Sequence, residues 1–97
     1  TYKVFDEIYI IKDWDRTKCR SLLFLDKHPQ DGNANAGKPG DFPVAWCKAY
    51  GKGKGFYTSL GHREDVWENE TYRQHVLGGI RWAMGLARGK SEPIPRK

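Results

Sequence analysis

The spacing of apolar and polar positions changes along the chain, and each change marks an element. Val4, Phe5, Ile8, Tyr9, Ile10 and Ile11 concentrate β-forming side chains, which predicts a strand at about Glu7 to Lys12. Asp13-Trp14-Asp15-Arg16 ends it as a polar loop. Ser21-Leu22-Leu23-Phe24-Leu25 is a continuous apolar run bounded by charges, the pattern of a central strand covered on both faces. Phe42 to Tyr50 alternates loosely through Val44, Trp46 and Ala49 and pairs with Gly55 to Leu60 across Gly51-Lys52-Gly53-Lys54 as a β-hairpin. The period then lengthens. Tyr72, Val76, Ile80, Ala83 and Ala87 recur at spacings of three and four, widened by Leu77 and Met84, so a helix lays one face on the sheet. Thr71-Tyr72-Arg73-Gln74 fits a capping box and sets the helix start. Gly78-Gly79 inside that helix costs ~1 kcal/mol each relative to Ala, which close approach of the helix backbone to the sheet would offset.

Between these elements lie two stretches without periodicity. Asp26-Lys27-His28-Pro29 ends the second strand, and Gln30 to Asp41 is rich in Gly, Asn and Ala; loops that long are usually functional or disordered. Arg88 to Lys97 has two prolines and four basic residues and reads as a surface extension. The chain therefore divides into residues 1–87, one folded unit, and 88–97, a basic Pro-containing tail. Trp14 is open to two readings, a ring that stacks on a sugar or a plug packed over the sheet edge.

Composition narrows the class. Ninety-seven residues make at most one domain, and four Trp, five Tyr and four Phe mean that a few large rings supply much of a small core. No apolar run approaches the roughly 20 residues of a membrane helix, so no membrane span is expected. The net charge of +5 is spread among acidic residues, which argues against a nucleic-acid surface. Cys19 and Cys47 form no metal or redox spacing. They read as buried or half-buried thiols, with a single bridge as the alternative. Thr1 to Asp6 has no apolar core of a signal peptide, and the compartment is left open.

Candidate chemistry gathers where the second hairpin strand ends in Gly61-His62-Arg63-Glu64-Asp65-Val66-Trp67. In open α/β sheets ligands bind beyond the carboxyl ends of strands. A histidine there can act as a general base or contact a ligand, with Glu64 or Asp65 orienting its ring. The competing reading is a solvated polar turn with local ion pairs. His28, after Asp26 at the end of the other strong strand, would approach His62 over the same sheet edge. No ligand spacing supports a metal there. His75, one position before Val76, reads as a surface or boundary histidine. Lys48, Lys52 and Lys54 surround a glycine turn but lack a Gly-Lys-Ser/Thr opening a helix, so no cofactor is expected.

Asp6-Glu7-Ile8-Tyr9, Leu22-Leu23-Phe24-Leu25, Pro43-Val44-Ala45-Trp46, Tyr50-Gly51-Lys52-Gly53, Tyr57-Thr58-Ser59-Leu60-Gly61-His62 and Gly79-Ile80-Arg81-Trp82-Ala83-Met84-Gly85 follow one another in this order. From about Val4 to Leu86 the chain resembles the C-terminal half of the ThuA-like, or trehalose-utilisation, domain. The resemblance implies an α/β fold, a flavodoxin-like, class I glutamine amidotransferase-like three-layer sandwich of which only the C-terminal part is present. It implies a role in bacterial carbohydrate metabolism, a carbohydrate or polyol ligand, and either a partner chain or an N-terminal half outside this chain. His62-Arg63-Glu64 has the His and Glu spacing of class I amidotransferases, but neither Cys19 nor Cys47 sits in a strand-to-helix elbow, and glutaminase activity is not supported. The expected site takes His62 and Glu64 as catalytic residues and Trp67, His28 and Asp26 as substrate contacts. The alternative function is a non-catalytic accessory subunit that uses the fold as an interaction platform.

Overall fold

The computed structural model describes residues 6, 9, 11, 14–25 and 41–94. The strand expected from Glu7 to Lys12 falls outside them apart from Tyr9 and Ile11, as does the loop from Gln30 apart from Asp41. Three strands follow in sequence: β1 (Arg20–Phe24), β2 (Pro43–Tyr50) and β3 (Gly53–Thr58). They form an antiparallel sheet in the order β1-β2-β3. A short 3-10 helix (Glu64–Glu68) and the helix α1 (Glu70–Ala83) complete the described elements.

The hairpin expected from the sequence forms, but its second strand begins two residues earlier than expected, with Tyr50 opposite Gly53 and Ala45 opposite Thr58. Its turn is the two residues Gly51 and Lys52, tighter than the four expected, and Gly51 supplies the positive φ of 58° that such a turn requires. The apolar run at Leu22 behaves differently. Among the described residues β2 is the central strand, and β1 leaves Leu22 40% and Phe24 59% exposed. Register shifts on both sides of Leu23 break the regular alternation of β1 against β2, so its apolar residues are not all buried.

Each face of the sheet has its own cover. On one face Trp14 lies 4.9 Å from Trp46, which stacks on Tyr57 at 4.3 Å; such ring pairs contribute ~0.5–1.5 kcal/mol each beyond area burial. Trp14 is thereby a packing plug. Its indole N–H and the Arg16 guanidinium both donate to the buried Asp41 carboxylate, so the charge that Trp14 covers is paired. That hydrogen bond to Asp41, ahead of their Coulombic attraction, holds the Arg16 pKa above its ordinary value.

On the other face α1 packs on β3. Its buried residues are Tyr72, Gly79 and Trp82, with His75 and Val76 half-buried. The buried stripe is thus rotated from the predicted one, and Leu77, Ile80 and Met84 face outward. Gly79 is where the helix comes closest to the sheet, because a Cβ there would lie 2.4 Å from the Phe56 ring. The helix begins two residues before the expected capping box: the Asn69 side chain accepts from the Tyr72 amide, and Gln74 reaches Glu70. It ends in a Schellman turn, with Leu86 N–H on Arg81 and Gly85 N–H on Trp82, and with Gly85 at φ 79°. Cys19 and Cys47 are both buried free thiols.

Candidate functional site

After β3 the ladder persists for one further bond, Ser59 N–H to Val44, and the chain then turns at Gly61. Gly61 has φ 107°, and a Cβ there would lie 2.5 Å from the Tyr72 hydroxyl and 3.2 Å from the Trp67 ring. Only glycine suits both the dihedral and the space. His62 follows, exposed.

The turn is held from three sides. The Asp6 carboxylate accepts the Gly61 N–H at 2.6 Å and the Arg63 N–H at 3.1 Å, one on each oxygen. Trp67 donates its indole N–H to the Gly61 carbonyl at 2.8 Å, and the buried Tyr72 donates its hydroxyl to the Leu60 carbonyl at 3.3 Å. Trp67 and Tyr72 meet edge to face at 5.0 Å. The backbone on both sides of His62 is therefore fixed, while the imidazole points outward with its Nδ1 3.1 Å from the Tyr9 hydroxyl.

Beside the ring lies an open depression of about 550 Å³ lined by His62, Arg63, Glu64, Asp65 and Glu68. Asp65 pairs with Arg63 through two bonds of 3.0 and 3.3 Å. That hydrogen bonding holds the exposed Asp65 below the usual carboxylate pKa and raises Arg63 above its own. The arrangement gathers an imidazole, a guanidinium and three carboxylates around one depression, with the guanidinium and the Asp65 carboxylate paired.

His62, Glu64 and Trp67 are thus gathered at one turn. Trp67 is 54% exposed, with its N–H bonded to the Gly61 carbonyl. Asp26 and His28 lie outside the described residues. Of the two places open to His75, surface or boundary, it takes the second and is half-buried: its Nε2 lies 3.0 Å from Thr58 Oγ1, its ring meets Phe56 edge-on at 5.3 Å, and burial lowers its pKa. Reasoning from sequence gave no role to Asp6, Tyr9 or Tyr72 at the site. Asp6 and Tyr9 carried a signal, since both belong to the Asp6-Glu7-Ile8-Tyr9 motif on which the family resemblance rests. Among the described residues no group of three metal-binding side chains occurs, and no helix is long and apolar enough to cross a membrane.

A small antiparallel sheet followed by one C-terminal helix is consistent with the broad class of α/β sandwiches. Within that class, the family model for trehalose utilisation, ThuA, matches residues 1–83, and the chain belongs to the ThuA family. No curated protein and no solved structure matches the chain.

Proposed function

We propose that the chain is the C-terminal part of a flavodoxin-like, amidotransferase-like sandwich, and that it binds or transforms a carbohydrate or related polyol at the His62 turn. The observation that carries this reading is the brace beneath His62, in which one carboxylate, Asp6, accepts the N–H on either side of it. A merely solvated turn needs no such anchoring. A preorganised one holds a reactive or binding side chain at fixed geometry. In this reading His62 takes a proton from a sugar hydroxyl or accepts a hydrogen bond from it, Glu64 binds a neighbouring hydroxyl, and Trp67 stacks on the apolar face of the ring. Membership of a family described by trehalose utilisation makes sugars the first ligands to test. In calorimetric titrations with trehalose and a panel of related sugars and polyols, His62→Ala is expected to abolish binding while leaving the circular dichroism spectrum unchanged. Undiminished binding by the variant would remove His62 from the proposal.

A second reading, a non-catalytic accessory subunit, is favoured by the outward side of α1 and the residues that follow it. Leu77, Ile80, Met84 and Leu86 are 39%, 48%, 68% and 71% exposed, more apolar surface than a helix facing water usually carries. This reading predicts self-association or co-purifying chains, and a stable monomer by light scattering would count against it.

A further inference from the structure

A second cavity, sharing no residue with the His62 depression, lies between the sheet and α1. It measures about 360 Å³, within the roughly 300–1,000 Å³ range of small-molecule pockets. Its floor is apolar, made by Leu23, Phe56, Trp82 and the backbone of Gly79. One wall is formed by the segment after the helix. The Schellman turn at Gly85 redirects the chain, and three side chains of the body then grip its carbonyls. Trp82 Nε1 donates to Gly89 at 3.1 Å, the Cys47 thiol to Lys90 at 3.8 Å, and Arg20 to Glu92 at 3.1 Å.

The charge on this cavity has one sign. Among the described residues, Arg20 and Lys90 line it, whereas no Asp or Glu does, and neither cation has a carboxylate ion-pair partner. Two cations beside an apolar floor complement a ligand with an apolar body and a single anionic end. We propose that this cavity, walled on one side by Gly89 and Lys90, binds a small apolar carboxylate, with the hydrocarbon or ring against Phe56 and Trp82 and the carboxylate between Arg20 and Lys90. Arg20 has donors beyond the one given to Glu92, so it can bind the anion without releasing the wall.

The proposal is tested by titrating the 97-residue chain with benzoate and, separately, with the neutral benzyl alcohol, followed by calorimetry. Benzoate is expected to bind saturably and about tenfold more tightly than the alcohol, as charge-assisted bonding to its carboxylate requires. Lys90→Gln, which leaves the gripped carbonyl in place, is expected to remove most of that advantage. Lys52→Gln at the exposed hairpin turn is expected to keep it. A second measurement needs no variant: added salt weakens benzoate binding and leaves the alcohol unchanged. Equal affinity for the two probes, no saturable benzoate binding, or equal losses from Lys90→Gln and Lys52→Gln would each overturn the proposal.

Discussion

Asp6 and His62 are coupled through the main chain: the Asp6 carboxylate binds the amides of Gly61 and Arg63 and so straddles the histidine between them. The acid that matters most to this turn comes from 55 residues away in sequence. The nearer Asp65 is engaged by Arg63.

Asp6→Ala removes both acceptors and leaves two amides to find water. Hydrogen bonds to a charged group contribute ~1.5–3 kcal/mol each; with two lost, one of them exposed, a loss of about 3 kcal/mol in urea unfolding is expected, with weaker binding at His62. Asp6→Asn keeps one carbonyl oxygen and should fall between the two. Equal stability of Asp6→Ala and the parent would contradict the bracing role.

The paired glycines of α1 separate two effects. Gly78 has nothing within 4 Å of a would-be Cβ, so Gly78→Ala should stabilise by up to ~1 kcal/mol through helix propensity alone. Gly79→Ala places its methyl 2.4 Å from Phe56, and the resulting overpacking of roughly 1–3 kcal/mol outweighs the same gain. Urea midpoints moving in opposite directions check the pair.

The helix start gives a similar contrast. Asn69→Ala loses the bond to the Tyr72 amide and should cost ~1 kcal/mol. Thr71, inside the helix and exposed, should tolerate Ala with almost no loss. A larger effect at Thr71 would restore the capping box suggested by the sequence.

His75 sets a pH dependence. Burial lowers its folded-state pKa below the ordinary 6.5, so the unfolded chain takes up this proton first as pH falls. Stability from this group is complete above about pH 6.5 and declines as pH drops through that value towards the folded pKa. His75→Gln, which keeps a group able to bond Thr58, should flatten this part of the profile. The check is the difference between parent and variant in chemical unfolding at roughly pH 7.5 and pH 5.5, bracketing the ordinary histidine pKa.

How much of this was legible depends on whether the deciding interaction is local. The hairpin was in kind, because a glycine-rich turn lies between two alternating runs, though its register was set by the two-residue turn at Gly51 and Lys52 rather than the four residues expected; the Gly61-His62 turn was, because it follows a strand. The helix was legible in kind but not in phase. Val76, Ile80 and Met84 share a spacing that fits a buried stripe, yet the side on which Gly79 admits the Phe56 ring decides the rotation, and glycine carries no hydrophobic signal. His75 was legible only as a surface or boundary residue, and its half-buried place is set by Phe56 and Thr58 on another element. Asn69 and Thr71 are both acceptable caps, and nothing local chooses between them. Trp14 was undecided until Trp46 and Asp41 supplied its partners.

Among the described residues, the side-chain hydrogen bonds that hold the segment along the second cavity all end on its carbonyl oxygens, at Gly89, Lys90 and Glu92. Every residue type supplies that atom, so the attachment is indifferent to the side chains of Lys90, Ser91 and Glu92. Gly89 is the exception, since a Cβ there would approach the Trp82 ring to 3.0 Å. The instructions for docking this stretch are thus written in Trp82, Cys47 and Arg20 rather than in the stretch itself. Its side chains are open to drift or redesign, and the charge that Lys90 brings to the cavity can be changed without dismantling the wall, whereas Arg20 is both a charge and a grip.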